Sequence, residues 1–523
     1  MAGVEAACSL THPSVKILAS RGVAKFRKGM GFVASTVQQN LFFYNNSLSV
    51  MYRALMERLY YVKGNGEDGF VPCPLPTRPY HDLDSFKTSL LRNLPSLPPV
   101  WTNEQFVESY SGLKAKRYSA ALNQLMRTGV RRSYGYLKTF IKGEFYNGTT
   151  KHNPCPRLIQ PRSPVYNILI GRYLRPMEKL LYKAVDRVFG HHVVLKCDTP
   201  WKRAEVISRY WGEFQTPVFV GFDASRFDQH TSSAALSWEH SIYNSIARSD
   251  ELAEYLTWQI DNVGYANTAD GDVRYAVNGC RMSGDMNTAL GNVLIMCGLC
   301  HHYLQPLGIR YRFIDDGDDC GVICEAADLH HLRGLPDHHL AYGYEMTVEA
   351  PVYRLEHIEF CQSRPVNLGN GNWMMVRNVH KALTQDALLI DKYDWVEIHN
   401  VLAATGICGL ALYNGVPVLH EFYAMLARCQ TDTRQVQHML DEYRHGSRTW
   451  RSFSNPRMFD VDETTARVSL YHAFGILPDE QVALEQEFRA QNLQTQKQIH
   501  TRISNSALDR ISYYLHHGEE VDD

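Results

Sequence analysis

Apolar and β-branched runs, interrupted at defined points by acids, mark the middle of the chain. Residues 311–314 form such a run, Gly317, Asp318 and Asp319 follow, and residues 320–324 return to apolar character. This order predicts a strand, a tight turn and an antiparallel strand with carboxylates at the tip. Because aspartates repel one another, the tip needs a counter-charge, most simply a divalent cation. The simpler alternative is a solvated hairpin turn.

A second buried strand is predicted over residues 218–222, and Asp223 lies at its end. This position would allow Asp223 to share a metal with the acids of the hairpin. Asp228 follows five positions later and is expected to face another part of the same cleft. A lone Asp at a strand end is usually a cap or turn residue, so the metal hypothesis depends on the hairpin acids.

A Gly-flanked loop over residues 279–287 gives way to an apolar helix. Thr288 and Asn292 are four positions apart, hence on one helix face, and Ser283 lies in the loop just before. Three short hydrogen-bonding side chains on one side of a helix start are suited to read a sugar hydroxyl. The structural alternative is N-capping by Ser283, with the other two side chains merely exposed.

The remaining pattern is largely helical. Residues 102–128 and 171–188 have the spacing of amphipathic helices, and helical patterns continue through the C-terminal part. Residues 14–34 have the pattern of a basic amphipathic helix, either touching RNA or lipid or simply solvated. Seven prolines over residues 72–99 predict an extended surface strap between lobes.

Charge divides the chain unequally. The net charge is -1, but residues 1–200 hold 28 Lys and Arg against 12 Asp and Glu, whereas residues 201–523 hold 26 against 43. The first part therefore suits a polyanion, and the second suits cations or carries a solvated acidic surface. The 12 cysteines lack paired spacing, as in a reduced cytosolic protein. No secretory signal or membrane span is expected.

Basic residues concentrate in one segment that contains a single acid, Glu144. Four prolines at positions 154, 156, 161 and 164 make its later part a stiff ribbon, from which cations can point together into a channel. We interpret the segment as a clamp for a triphosphate and a nucleic-acid backbone, with surface solubility as the alternative. The basic residues are Arg131, Arg132, Lys138, Lys142, Lys151, Arg157 and Arg162.

Together these stretches resemble the ordered motif set of viral RNA-dependent RNA polymerases. Segments 156–164, 171–176 and 361–362 look like the plant tombusvirus family and its tombus-like relatives. The resemblance covers about residues 135–385 and is specific because several spaced motifs agree. The matching stretches are motif F at Lys142–Arg162, motif A at Asp223–Asp228, motif B at Ser283-Gly284 with Thr288 and Asn292, motif C at Gly317-Asp318-Asp319, and motif E at Phe360-Cys361-Gln362.

The resemblance implies an α+β right-hand polymerase fold of fingers, palm and thumb, closed by N-terminal fingertip segments. The implied divisions are residues 1–100 as N-terminal extension and fingertips with the Pro-rich strap, 101–215 as fingers with the first palm helix, 216–365 as palm with a fingers insertion at about 240–278, and 366–523 as helical thumb and acidic tail. Two departures stand out. Asp315-Asp316 occupies the place of a common Asn-Asn, so its charge would strengthen or misplace metal binding, and residues 343–349 contain no Lys to act as general acid.

The same resemblance implies an RNA-directed RNA polymerase that copies viral RNA from NTPs. Asp223, Asp318 and Asp319 would hold two Mg²⁺ ions, for which Mn²⁺ can substitute. The groups expected to recognise the ribose 2′-hydroxyl are Asp228, Ser283, Thr288 and Asn292. The groups expected to bind triphosphate and template are Lys142, Lys151, Arg157 and Arg162.

The expected partners are a single-stranded viral RNA template, the nascent duplex and NTPs. A membrane-anchored viral replication protein and host factors would bring the chain to membrane-associated replication sites in the host cytoplasm. Two alternatives remain. A reverse transcriptase shares the palm chemistry but would place a bulky residue against the 2′-position, and a non-catalytic RNA-binding subunit would bind RNA without Mg²⁺-dependent synthesis.

Overall fold

The structure is a computed structural model that describes residues 2–22, 27–31, 40–64, 69–390, 397–446 and 459–491. It mixes helices with mainly antiparallel sheets, which confirms the α+β prediction. The strands are β1 (Val15–Ser20), β2 (Gly29–Gly31), β3 (Leu41–Phe42), β4 (Tyr61–Lys63), β5 (Phe70–Pro72), β6 (Leu137–Ile141), β7 (Tyr146–Asn147), β8 (Leu158–Ile159), β9 (Pro217–Ala224), β10 (Asp261–Asn267), β11 (Gly271–Asn278), β12 (Tyr311–Asp315), β13 (Asp319–Glu325), β14 (Met346–Val348), β15 (Ser363–Gly369), β16 (Asn372–Arg377) and β17 (Leu388–Ile390).

Helices connect and cover these strands. The helices are α1 (Leu48–Leu55), α2 (Asp84–Arg92), α3 (Asn103–Glu108), α4 (Gly112–Thr128), α5 (Pro164–Phe189), α6 (Pro200–Trp211), α7 (Phe227–His230), α8 (Ser233–Ala247), α9 (Asp250–Thr257), α10 (Thr288–Leu304), α11 (Leu335–Ala341), α12 (Val379–Gln385), α13 (Glu397–Tyr413), α14 (Leu419–Ala427), α15 (Thr433–Gly446), α16 (Glu463–Phe474) and α17 (Pro478–Ala490). Within the described residues, none has the length and apolar character needed to cross a bilayer.

The central sheet has the strand order β12-β13-β9-β14, and all its neighbours are antiparallel. Its middle strands are apolar on both faces, so they are buried, with Val220 and Val322 fully inaccessible. Helices α5 and α10 pack in the same core. Helix α5 starts with a Ser163 cap and Pro164 in its first turn and ends at Gly190 with φ 73°. The hairpin and both helices agree with the sequence-based predictions.

A second sheet, with order β1-β11-β10-β6-β8, has its own core with helix α1. Its strand β1 replaces the basic helix that we expected over residues 14–34, so that expectation is wrong for residues 15–20. Val15 pairs with Tyr275 and Ile17 with Val273 across antiparallel strands. Pairing with β11 satisfies the backbone N–H and C=O groups of β1. The hydrophobic pattern of residues 15–20 alone does not reveal this distant partner. Residues 23–26 and 32–34 lie outside the described residues.

The Pro-rich segment 72–99 is only partly an extended strap. Its prolines cluster at the two ends, and between them helix α2 buries Phe86 and Leu90 in the central core. The expectation of a surface strap is therefore wrong for residues 80–92, because the apolar side chains of this helix outweigh the flanking prolines.

The C-terminal described part forms a separate core. Helices α12 to α17 pack together and against the hairpin of β15 and β16. This agrees with the helical pattern expected there, whereas Trp395, Val396 and the acidic tail after residue 491 lie outside the described residues. One further contact joins distant parts of the chain, because β2 near the N-terminus pairs antiparallel with β17, placing Met30 opposite Leu389.

Candidate active site

An acidic turn, residues 315–319, joins β12 to β13. The backbone N–H of Asp316 donates to the carbonyl of Asp319 at 2.8 Å, which closes the turn. Gly317 has φ 101°, a backbone conformation that side chains rarely adopt, so glycine is needed there. Asp318 follows it and is exposed at the tip. The sequence-based hairpin is confirmed together with the position of its carboxylates.

Asp223 meets this turn from the neighbouring strand. In the antiparallel pair of β9 and β13, Asp223 lies opposite Asp319, and Phe222 lies opposite Cys320. Both aspartates are exposed while their strand neighbours are buried. Acids nearly a hundred positions apart in the chain therefore converge at one edge of the sheet, as the sequence predicted.

These acids raise one another's affinity for protons. Partial burial and then the charge of Asp318 raise the pKa of Asp223 above its ordinary value. Partial burial, followed by the charges of Asp318, Asp316 and Asp223, raises the pKa of Asp319 to about 6. Ionised together, the carboxylates repel one another, so a cation bound between them would relieve the cost.

The oxygen-only donor set fits a hard divalent cation rather than zinc or copper. In the part of the chain that the structure describes, no three acidic, histidine or cysteine side chains are already close enough to hold one ion. A cation that keeps several waters and takes further oxygens from a substrate phosphate needs only one or two carboxylates. The pair Asp223 and Asp319, with Asp318 beside them, matches this sparse requirement.

Asp315 and Asp316, where the resembled family commonly has Asn, do not add free negative charge to the site. Asp315 is fully buried, its carboxylate accepts from the Gly317 N–H at 3.0 Å, and burial raises its pKa well above the ordinary range. Asp316 forms ion pairs with Lys196, at 2.7 Å, and with Arg203. Two cations thus compensate the charge of Asp316, and the expectation that the Asp315-Asp316 charge strengthens or misplaces metal binding stays a prediction.

Sequence reasoning missed Lys196 and Arg203. The available signal was the short apolar run 193–195 before Lys196, which lies beside the end of β12: Leu195 N–H donates to the Asp315 carbonyl at 2.9 Å. This backbone pairing brings Lys196 to the acidic turn.

Asp228 and Asn292 come together, as predicted. Asn292 Nδ2 donates to Asp228 Oδ1 at 3.2 Å, joining helix α7 to helix α10. Burial, followed by the charge of Asp318, raises the pKa of Asp228 to about 6. The two side chains thus form a polar pair adjoining the acidic turn.

Ser283 and Thr288 point their hydroxyl protons elsewhere. Ser283 Oγ donates to the Leu158 carbonyl at 3.1 Å, and Thr288 Oγ1 lies 2.9 Å from the carbonyls of Met282 and Asp285. Their hydroxyl groups hold the loop before α10 in this structure. Their direct contact with a sugar stays a prediction, and neither is the N-cap, which is Asn287.

Three of the four predicted phosphate-binding cations are accessible. Lys142 and Arg157 lie 2.8 Å and 3.4 Å from the shared carboxylate of Glu144. Lys151 and Arg157 are exposed, and their positive charges partly offset the rise that burial and Asp318 cause in the pKa values of Asp223 and Asp228. This is the charge arrangement that a bound triphosphate requires.

The assignment of Arg162 to this set is wrong in this structure. Its guanidinium is fully buried and forms an ion pair with Asp285. It donates to the Gly135 and Trp258 carbonyls at 2.6 Å and 2.9 Å and to Asn262 Oδ1 at 2.6 Å. All its N–H groups are thereby used inside the protein. Its position in a basic run gave no indication of this burial.

Glu349 is a further acid close to the carboxylates, and its sequence contains no signal of this role. Its backbone N–H donates to the Gly221 carbonyl at 2.9 Å, and its carboxylate lies directly over Gly221. Burial, then the charges of Glu359, Asp223 and Asp319, raises the pKa of Glu349. No general acid is assigned in this segment.

Comparison with known proteins agrees with this geometry. The family model described as viral RNA-dependent RNA polymerase matches residues 16–496. A protein named RNA-directed RNA polymerase from Pothos latent virus (isolate Pigeonpea/India) is 39% identical over 483 residues, covering 91% of this chain and 63% of the relative. The proteins of the same name from Turnip crinkle virus and Carnation mottle virus are 39% and 38% identical over 449 and 488 residues, covering 85% and 92% of this chain.

The chain spans 63%, 57% and 63% of the length of these three curated relatives. The matched region includes every candidate site residue described above, from Lys142 to Glu349. By this match over most of its length, the chain belongs to the family of viral RNA-dependent RNA polymerases.

Proposed function

We propose that this chain is the catalytic part of a viral RNA-directed RNA polymerase, which copies an RNA template by adding nucleotides from NTPs to a 3′-hydroxyl. The observation that carries the proposal is the position of Asp223 directly opposite Asp319, with Asp318 at the adjoining tip. Three mutually repelling carboxylates held close together reduce the stability of the fold. Nucleotidyl transfer explains why they are kept, because it requires acids that bind metal ions at a fixed position.

Asp223, Asp318 and Asp319 would hold two Mg²⁺ ions, with Mn²⁺ able to substitute. When bound, such ions stabilise the attacking 3′-hydroxyl and the leaving pyrophosphate of an in-line displacement. The residues themselves contribute position, since β9 and β13 fix the carboxylates in register and phosphoryl transfer asks the protein mainly for alignment and charge compensation.

Substrate recognition would come from the residues around these acids. Lys142, Lys151 and Arg157 bind the triphosphate and template backbone as accessible cations. The pair of Asp228 and Asn292 recognises the ribose 2′-hydroxyl, with Ser283 and Thr288 shaping the adjacent loop. This recognition would separate NTPs from dNTPs.

The family implies a right-hand polymerase fold, and we assign its parts to the observed elements. The palm is residues 216–365 with the central sheet, the fingers are residues 101–215 with the insertion at about 240–278, and the thumb is the helical part after residue 366. Residues 1–100 supply fingertips that close the hand. The pairing of β2 with β17 supports this closure, because it joins the N-terminal segment to the base of the thumb.

The proposed partners are a single-stranded viral RNA template, the nascent duplex, a membrane-anchored viral replication protein and host factors. Within residues 1–200, Lys and Arg outnumber Asp and Glu, and this positive charge supports binding to the RNA backbone. We place the protein at membrane-associated replication sites in the host cytoplasm, reached through the anchored partner.

Reverse transcription is the less favoured reading, because Asp228 and Asn292 offer hydrogen-bonding groups where exclusion of a 2′-hydroxyl would need bulk. A non-catalytic RNA-binding role is disfavoured by the acids, since binding a polyanion gains nothing from three repelling carboxylates.

The test is purified protein with a short RNA template and Mg²⁺, with and without primer, in parallel NTP and dNTP reactions. We expect template-directed products from NTPs that disappear in EDTA. DNA products from dNTPs would instead support reverse transcription. RNA binding without synthesis in either reaction, across Mg²⁺ and Mn²⁺, would overturn the enzyme assignment.

A further inference from the structure

Arg281 contacts both members of the predicted sugar-recognising pair, Asp228 and Asn292. Its backbone N–H donates to the Asp228 carbonyl at 2.8 Å. Its side-chain Nε donates to Asn292 Oδ1 at 3.1 Å. The residue is 1% exposed, so these bonds form inside the protein. Arg281 thus holds Asp228 through the main chain and Asn292 through the side chain.

The chemistry of these contacts fixes how the Asn292 amide is turned. An arginine Nε can only donate, so the atom of Asn292 that faces it must be the carbonyl oxygen. The amide nitrogen is then directed to Asp228 Oδ1, which lies 3.2 Å away and accepts as a carboxylate. A flipped amide would place donor against donor and oxygen against carboxylate, so Arg281 permits a single orientation.

A buried partner holds Arg281 itself. Glu239 on α8 is 0% exposed and forms an ion pair with the Arg281 guanidinium. Glu239 also accepts from Tyr243 Oη at 2.7 Å and from Asn287 Nδ2 at 2.8 Å. A fully buried charge with several hydrogen bonds is held in place strongly, because leaving any member unpaired is costly.

Helix α10 approaches this ion pair closely at Gly291. Gly291 precedes Asn292 on α10, and a Cβ at Gly291 would overlap both Arg281 Nη2 and Glu239 Oε1. Glycine in the interior of a helix normally reduces stability relative to alanine. The close approach of helix and ion pair explains why a glycine occupies this position.

We propose that Arg281, supported by Glu239, is the positioning residue that lets Asp228 and Asn292 discriminate ribonucleoside from deoxyribonucleoside triphosphates. This inference rests on the proposed polymerase function and names the origin of its sugar selectivity. Because Arg281 fixes the orientation of the Asn292 amide, Asn292 always donates to the Asp228 carboxylate. This bond holds the carboxylate in one position, where it can accept a hydrogen bond from the 2′-hydroxyl of an NTP.

Two variants test the inference without leaving a buried charge unpaired. Arg281→Met combined with Glu239→Met removes both charges at similar volume, and Gly291→Ala displaces the pair without removing any hydrogen-bonding group. We expect the ratio of kcat/KM for an NTP to that for the matching dNTP to fall about 10- to 100-fold in each, mostly through a higher KM for the NTP.

Arg467→Met combined with Glu485→Met is the matched control, because these residues form a mostly buried ion pair between α16 and α17, in the C-terminal part of the chain. It is expected to lower the thermal midpoint without changing the NTP to dNTP ratio. Asp228→Ala should cause the largest loss of NTP over dNTP selectivity. Adding Gly291→Ala to it should reduce the selectivity little further, since both changes act on the same contact.

The outcomes separate the two proposals. A wild-type protein that incorporates neither NTP nor dNTP contradicts the proposed function. If wild type discriminates and Asp228→Ala loses discrimination while Gly291→Ala, folded and active, keeps the wild-type ratio, the role of Arg281 is overturned and the polymerase assignment stands. If the double variant does not fold, Gly291→Ala alone decides.

Discussion

The Lys196 ammonium lies 2.7 Å from the carboxylate of Asp316, the residue that precedes Gly317 in the acidic turn. Both side chains are largely buried, and Arg203 pairs with the same carboxylate. This charge compensation ties the segment after α5 to the hairpin that carries Asp318 and Asp319. The stability of the turn should therefore depend on these cations.

Replacing Lys196 by Met should lower the free energy of unfolding by about 1–3 kcal/mol, because it removes one of two cations from a buried carboxylate. Urea unfolding monitors the change. Lys202→Met is the control, since the Lys202 and Glu205 pair is exposed and should contribute under about 0.5 kcal/mol. Adding Asp316→Asn to Lys196→Met should lower stability further, because Arg203 then also loses its carboxylate partner. Equal effects of Lys196→Met and Lys202→Met would contradict this reading of the turn.

Asp318→Asn should reduce nucleotide incorporation by about three orders of magnitude or more, because it removes a carboxylate from the metal-binding set. The thermal midpoint should stay the same or rise slightly, since one repelling charge is lost. Primer extension and circular dichroism measure the two effects. Asp337→Asn, at an exposed position in the first turn of α11, should leave incorporation unchanged. Full activity of Asp318→Asn would remove Asp318 from the site.

Mg²⁺ dependence should shift with pH. Because the pKa of Asp319 is about 6 in the metal-free protein, protons compete with a cation for this carboxylate at pH 5.5 but hardly at pH 7.5. The Mg²⁺ concentration for half-maximal incorporation should therefore rise by up to about fourfold between pH 7.5 and pH 5.5. Initial rates in Mg²⁺ titrations at both pH values measure it, and a pH-independent midpoint would contradict it.

Asp228→Asn should make the protein more stable while reducing its preference for NTPs. The folded-state pKa of Asp228, about 6, lies above the ordinary value of 3.8, so the ionised form is disfavoured and stability falls as pH rises through this window. The stability advantage of Asp228→Asn should be greater at pH 8 than at pH 5 by about 1 kcal/mol. Urea unfolding in EDTA measures this difference. The same advantage at both pH values would mean that Asp228 does not titrate there.

Gly31→Ala should disrupt the pairing of β2 with β17. A Cβ at Gly31, where φ is 149°, would overlap the Ala387 carbonyl oxygen, whereas Gly22 also has positive φ but meets nothing within 4 Å. Gly22→Ala should cost about 1 kcal/mol from backbone strain alone, and Gly31→Ala at least about 2 kcal/mol more. Thermal unfolding and limited proteolysis near residues 388–390 report the difference. Equal effects would mean that the pairing contributes little.

The carboxylates were predictable from sequence because their signal is local. The apolar run before Asp223 and the hairpin around Gly317 each specify a strand whose end must carry an acid. Asp228 and Asn292 were both expected at the sugar-recognising part of the cleft, but the hydrogen bond between them was not predicted, because it joins two helices 64 positions apart.

The errors involve partners that are distant in the chain. Strand β1 forms because β11, more than 250 positions later, offers an edge, and no local pattern contains that information. Nothing in the sequence near Lys196 and Arg203 distinguishes them from surface cations, because their partner Asp316 lies more than 110 positions later. The composition of the basic run likewise does not distinguish buried from exposed arginines.

The burial of Arg162 limits which amino acids can replace it. Its donors are shared among Asp285, Asn262 and the backbone carbonyls of Gly135 and Trp258. A lysine would have three donors on one tetrahedral nitrogen and could not span the same acceptors. Replacing Arg162 by Lys would therefore leave several of these buried acceptors without a donor, even though the positive charge beside Asp285 is preserved.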